Sequence, residues 1–374
     1  MKMKFLELPN AGKDYTNEAP SRKKPFYPIN NGLRAYLKKN GREVVLPVAY
    51  EDLSRITYSF PIKDKNGKDT HWEEARYDMR EWEFIREGLL NIYAILKTEG
   101  NLTFITHWDV ARIDYCAFGN SNPFRIKIVN KHNGNSESFY VKLADASRIY
   151  GLELEHLLSP NRITYFSYYN TLVEEHIPGI PGDIFVQQYL DEPMTNKIRF
   201  AKEFVKFNER CFLRLLGDMR SYNFVVDITP DVENFHYRIR AIDFDQQSYE
   251  GRKNLYLPQF FKENLAYVNL VLSHLDNESM NQYRTEERTL MAFRVAESRY
   301  RIMDLFNIMC KDDISSVEKI DQLKTQLKEY SGNPKFLKCK SMGDIVKLNL
   351  KQTLVRGLRE IQESKTKIKI GEQV

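Results

Sequence analysis

The sequence predicts an α+β protein of two lobes, a small antiparallel β-sheet lobe and then a mostly helical lobe, preceded by an N-terminal extension. Three observations carry this expectation. Residues 108 to 175 hold short apolar runs of strand period, interrupted by one helical stretch. From residue 183 onward the apolar period is mostly that of a helix. Within the second of these regions, Asp218, Asn223 and Asp243 stand beside turn and strand signals.

The elements follow in chain order. Residues 1–105 read as the extension, with a loose polar arm from Lys13 to Lys24. Residues 56–62 alternate like a strand, and Lys65-Asn66-Gly67-Lys68 is a hairpin signal. Met79, Trp82, Ile85, Leu89, Leu90, Tyr93 and Leu96 recur at helical spacing over 78–98. The small lobe, 106–178, then reads as strands at Ala111–Phe118, Phe124–Val129 and Ser138–Ala144. A helix follows over Arg148–Leu158, capped by Ser147, and then strands at 163–166 and 171–175. Ile177-Pro178-Gly179-Ile180-Pro181-Gly182 is turn-rich and suits a connection between lobes. The large lobe, 179–374, reads as helices over 197–216, 258–275 and 286–310. A terminal helix near 343–363 aligns Val346, Leu350, Leu354, Leu358 and Ile361.

Composition bounds the class. At 374 residues with 42% hydrophobic and 29% charged side chains, the chain suits a soluble globular protein. Cys116, Cys211, Cys310 and Cys339 have no metal-binding or CxxC spacing, which points to reduced thiols and a cytoplasmic setting. The first residues lack the apolar core of a secretory signal. No stretch approaches the length of a membrane span. Residues 318–374 carry 13 Lys or Arg against 7 Asp or Glu, so the net charge of +5 comes from the tail. A solvated helix face explains that tail; contact with an acidic partner, nucleic acid or a membrane surface is the alternative.

The chemistry centres on two segments. Leu216-Gly217-Asp218-Met219-Arg220-Ser221-Tyr222-Asn223 follows a long helix and precedes the β-like Phe224-Val225-Val226. Asp218 has the chemistry of a general base, and Asn223 offers a neutral oxygen ligand. Arg220 can neutralise developing phosphoryl charge. The run Arg238–Asp245 is a strand ending in Asp243 and Asp245, hard oxygen ligands suited to magnesium. Strand alternation sets Lys142 on the face opposite Phe139 and Val141. The turn at Phe118-Gly119-Asn120-Ser121-Asn122-Pro123 can present backbone N–H groups to phosphate, though it lacks a glycine-rich pattern.

The Asp218–Asn223 spacing, the Ile242-Asp243-Phe244-Asp245 run and Lys142 together resemble the protein kinase-like superfamily. The metal loop looks closer to choline- and aminoglycoside-kinase-like enzymes than to eukaryotic protein kinases. The resemblance covers roughly residues 108–275. It implies ATP and Mg²⁺ as cofactors, with Asp218 and Arg220 catalytic and Asn223, Asp243 and Asp245 around the metal. Lys142 would meet the nucleotide phosphates and pair with a glutamate of the following helix, Glu153. Gly119, Asn120 and Ser121 would cover the phosphates, and the main chain near Glu175 and His176 would meet the adenine. It implies phosphoryl transfer to a hydroxyl of a small molecule or a protein. Leu216 stands where relatives carry His, which keeps a pseudokinase-type scaffold open as an alternative. Nucleotidyl (AMP) transfer on the same scaffold is the other.

Overall fold

The computed structural model describes residues 24–64, 66–117, 121–232 and 235–371; the side chains of 356 and 358–371 are outside that description. The polar arm expected at Lys13–Lys24 therefore lies, except for Lys24, outside the described residues. In chain order the elements are α1 (Asn31–Lys39), α2 (Tyr50–Leu53), β1 (Tyr58–Lys63), β2 (Asp69–Arg76) and α3 (Met79–Thr98). Next come β3 (Trp108–Tyr115), β4 (Phe124–Asn130), β5 (Ser136–Leu143), α4 (Ala146–Leu158), β6 (Tyr165–Tyr168) and β7 (Thr171–Glu175). The rest are β8 (Ile180–Pro181), α5 (Gly182–Gln188), α6 (Lys197–Arg214), β9 (Phe224–Pro230), β10 (Phe235–Ala241), α7 (Leu265–His274), α8 (Asn277–Glu297), α9 (Arg299–Met309), α10 (Val317–Ser331) and α11 (Met342–Gly371).

The class is α+β, and the chain divides into two compact units. One comprises residues 25–149 and 163–176; the other takes in 150–162 and everything described from 177 onward. The first is built on a seven-stranded antiparallel sheet ordered β1-β2-β3-β4-β5-β7-β6. The strand, strand, strand, helix, strand, strand order expected over 108–175 is present. The expected boundary near 105 is not a structural one. Glu73 and Glu74 of β2 pair with Tyr115 and Asp114 of β3, so the first hairpin extends the same sheet. Helix α3 covers it because Ile85, Leu89, Tyr93 and Leu96 repeat every three or four residues and bury against Val110, Ile113, Ile126, Ile128 and Phe139. Each such side chain contributes roughly 1.5–3 kcal/mol when removed from water.

The second unit is helical around a three-stranded sheet, β10-β9-β8. Asn196 caps α6 by accepting the Arg199 N–H at 3.0 Å, and the helix ends at Leu215 in the left-handed region (φ 54°). Its apolar face, with Phe200, Phe204 and Phe207, stacks on Phe185, Tyr237, Tyr267 and Phe224. Gly179 sits at φ 150°, where an added Cβ would meet the Val225 side chain at 2.8 Å, so only glycine lets β8 approach β9. Two helical expectations need correction. Residues 258–264 form short 3₁₀ turns, and α7 begins only at Leu265. The run expected over 286–310 starts earlier, at Asn277, and breaks at Ser298. In α11, Val346, Leu350 and Leu354 are buried as expected, and the side chains of Leu358 and Ile361 are outside the description. No described helix is long and apolar enough to cross a membrane.

Candidate functional site

The loop after α6 is fixed by its backbone before any side chain acts. Leu216 is fully buried and bridges to Gln247. The Gly217 N–H donates to the Gln246 carbonyl at 3.2 Å, and the Asp218 N–H to the Leu255 carbonyl at 3.0 Å. These bonds hold Asp218 at φ 57°. That left-handed backbone is uncommon outside glycine and clusters where the surroundings over-determine it. The chain then turns back through Arg220 N–H to Asp218 O and Asn223 N–H to Arg220 O, each 2.8 Å.

Side chains complete the loop. Arg220 Nε donates to Asp218 Oδ1 at 2.8 Å, its Nη1 donates to Glu263 Oε1 at 2.7 Å, and its guanidinium lies over the Phe261 ring. Asn223 Nδ2 donates to the Asp218 main-chain carbonyl at 2.7 Å. A carbonyl accepts only a donor, so this bond orients the amide and leaves Asn223 Oδ1 for another partner. Phe224 opens β9 and is anchored by Phe207, and Phe224 pairs with Ala241 in β10. The Ile242 N–H donates to the Asn223 carbonyl at 3.0 Å, which brings the start of the Asp243 loop beside Asn223. Asp243 Oδ1 accepts the Asp245 N–H at 3.0 Å, a tight turn that presents both acids from one loop.

Burial raises the Asp218 pKa to about 6; Arg220 opposes the rise, and the charges of Asp243 and Glu263 add to it. A buried acid shifted toward neutrality beside a second acid marks a candidate functional site. The donors on offer are one amide oxygen and carboxylates. That set fits magnesium, which keeps waters and shares its shell with phosphate oxygens rather than filling an all-protein cage.

In the other unit, Lys142 of β5 is buried, and its Nζ donates to Glu174 Oε2 of β7 at 2.8 Å. Arg148 donates to both oxygens of the same carboxylate. Burial alone would raise the Glu174 pKa, but Arg148 and Lys142 hold it at about 2. Glu153, the partner expected for Lys142, belongs to the helical unit and takes a bidentate pair from Arg301. The carboxylate that engages Lys142 within its own unit is thus Glu174.

The remaining expected residues divide three ways. Gly119 and Asn120 lie outside the described residues; Ser121 is buried, and its carbonyl accepts the Leu143 N–H at 3.4 Å. Glu175 turns inward: its N–H donates to the Thr164 carbonyl at 3.0 Å and its Oε1 accepts the Thr164 N–H at 2.8 Å. His176 lies 3.3 Å from the Tyr140 hydroxyl, and burial lowers its pKa. Sequence reasoning missed Glu263, Arg148 and Glu174. Glu174 left only a weak signal, an acid at the end of β7 beside Glu175; Glu263 left none, because a tertiary contact 43 residues away supplies its role.

No family model matches the chain, and no curated protein does. Solved structures do match, among them one titled "Structure of Neurospora crassa PAN3 pseudokinase", 7% identical, with 77% of this chain and 73% of that one covered. Its TM-score of 0.17 supports no conclusion about fold or activity.

Proposed function

We propose that the chain is an ATP- and Mg²⁺-dependent phosphotransferase of protein kinase-like fold that phosphorylates a hydroxyl of a small molecule or a protein. The observation that carries this reading is the locked Asp218–Asn223 loop, with Asp243 delivered beside it by the β9–β10 register. The acceptor hydroxyl would donate its hydrogen bond to Asp218. As the acceptor oxygen attacks the γ-phosphorus and the bond to ADP breaks, the proton passes to Asp218. Asn223 and Asp243 would hold magnesium, with Asp245 supporting the turn. The metal, when bound, neutralises phosphate charge. Arg220 is tied to Asp218 and Glu263, so its part is to fix the base as well as to offset charge. Lys142 would engage nucleotide phosphates, with Glu174 orienting it within its own unit.

A second reading, a pseudokinase-type nucleotide-binding or scaffold protein, is favoured by one observation: Lys142 is already engaged in a buried ion triad. The test is ADP release from ATP with magnesium and a panel of hydroxylated acceptors, with intact mass of the acceptor read in parallel. Magnesium-dependent ADP release that vanishes in Asp218→Asn, with one phosphoryl group gained by the acceptor, supports the enzyme. Nucleotide binding without turnover favours the scaffold, and gain of AMP would assign nucleotidyl transfer. Absence of nucleotide binding by the folded protein overturns the proposal.

A further inference from the structure

The carbonyl that accepts the Asp218 N–H belongs to Leu255, in the segment that follows the Asp243 turn. Residues 244–251 of that segment have no strand or helix of their own, yet all of them are buried. Loops ordinarily lie at the surface, because a buried one must find partners for its backbone polar groups. Two neighbours supply them here. On one side is the catalytic segment: the Gln246 and Leu255 carbonyls accept the Gly217 and Asp218 N–H groups, and the Ser248 N–H donates to the Leu215 carbonyl at 2.8 Å. On the other side is α10.

Gln326 Oε1 of α10 accepts the Lys253 N–H at 2.8 Å, at the start of the 3₁₀ turn Lys253–Tyr256 that carries Leu255. Lys319 Nζ lies 3.2 Å from Glu250 Oε2 and 3.5 Å from the centre of the Tyr249 ring. Glu250 is buried, where an ionised carboxylate needs a cation or donors beside it. Ser315, just before α10, donates its hydroxyl to the Tyr249 carbonyl at 2.6 Å. Gly251 faces the helix backbone: an added Cβ would stand 2.9 Å from Lys319 Cα and 3.0 Å from the Lys319 carbonyl oxygen. Those atoms cannot rotate aside as a side chain does, so the close approach requires glycine.

Docking of α10 as such needs none of this, because Ile320, Leu323 and Leu327 already bury its apolar face. Apolar burial is non-directional, whereas a hydrogen bond fixes distance and angle. The polar contacts therefore add register. They form one path, from Gln326 to the Lys253 N–H, through a single turn to the Leu255 carbonyl, and on to the Asp218 N–H. The same path ends where the backbone of Asp218 is held at φ 57°.

We propose that α10 sets the geometry of the Asp218 loop, with Lys319 and Gln326 as positioning residues that act through segment 249–255. Residue-resolved amide hydrogen exchange on the full-length protein tests this without reference to any activity; the turnover measurement below rests on the phosphotransferase reading. In Gln326→Ala and in Gly251→Ala the Asp218 amide exchanges at least tenfold faster than in the wild type. The Ile239 and Ile242 amides, bonded to Glu203 and to the Asn223 carbonyl, keep their wild-type rates. Gln326→Glu retains an oxygen for the Lys253 N–H and restores the slow exchange of Asp218. In turnover, Gln326→Ala lowers kcat at least tenfold while the Kd for ATP with magnesium stays within about twofold, because the β9–β10 pairing sets Asn223 and the start of the Asp243 loop. Unchanged Asp218 exchange in both folded variants overturns the proposal. So does an equal rise at Asp218, Ile239 and Ile242, which would make α10 a general support of the unit. Faster exchange confined to the Asp218 loop, in a protein whose wild type turns over no ATP, upholds the positioning and overturns the phosphotransferase reading instead.

Discussion

Asn223 Nδ2 donates to the main-chain carbonyl of Asp218 at 2.7 Å, so the expected metal ligand also holds the expected base in place. The two residues are five apart, and the bond closes the loop between α6 and β9. Replacing Asn223 by Ala removes that bond and the ligand oxygen together. We expect a stability loss of about 1 kcal/mol, typical of one such hydrogen bond, and complete loss of magnesium-dependent ATP binding. Denaturant midpoints and calorimetry on the same preparation separate the two effects.

Asp218 predicts a pH dependence with a definite sign. Its pKa is raised from 3.8 to about 6, chiefly by burial. Between those values the folded protein holds a proton that the unfolded chain releases. The associated stability is full below pH 3.8 and is lost as pH rises through 6. Asp218→Asn carries no such charge, so at pH 7 it should be more stable than wild type by up to roughly 3 kcal/mol. Activity should show an acid limb near pH 6, because the base must be ionised to accept a proton. Equal urea midpoints for the two proteins at pH 7 would contradict this.

Glu174 predicts the opposite limb. Its carboxylate is held at about 2 against the usual 4.5, so its contribution is present above pH 4.5 and lost as pH falls through 2. Glu174→Gln leaves Lys142 and Arg148 buried without their shared carboxylate and should cost about 3–5 kcal/mol. Lys142→Met should cost less, because Arg148 still pairs with Glu174. Chemical denaturation of both variants gives the order.

Glu153 is the helix glutamate that the sequence offers as the partner of Lys142. It is fully buried, and Arg301 engages both of its oxygens. Glu153→Gln should lower stability while leaving ATP affinity within about twofold, since a role in packing does not move a binding constant. A tenfold loss of ATP affinity in a stable Glu153→Gln protein would restore the helix glutamate to the nucleotide site.

What was legible in the sequence was local. The Asp218–Asn223 loop and the strand leading to Asp243 lie within 26 residues, and turn chemistry with strand period suffices to place them. The pairing of Lys142 was not legible. A helical wheel sets Glu153 at the edge of an apolar face, but the choice among buried carboxylates is made by tertiary packing, and Arg148 and Glu174 come from different elements. The same holds for the hairpin at 58–76. Its turn signal was visible at Asn66-Gly67, yet its pairing to β3 across more than 30 residues has no local trace. Helix α10 passed unread, although Ile320, Leu323 and Leu327 keep helical spacing, because its exposed face is densely charged. The break at Ser298 passed unread too, since no Pro or Gly marks it.

The most direct measurement is a thermal-shift titration with ATP, with and without magnesium, on the wild type and on Asp243→Ala. A ligand that binds only the folded state at a hundred times its dissociation constant adds about 2.7 kcal/mol of stability, a shift that is readily seen. The account predicts a magnesium-dependent rise in Tm for the wild type and none for Asp243→Ala. A folded wild-type protein whose Tm is unmoved by ATP, with or without magnesium, would contradict it.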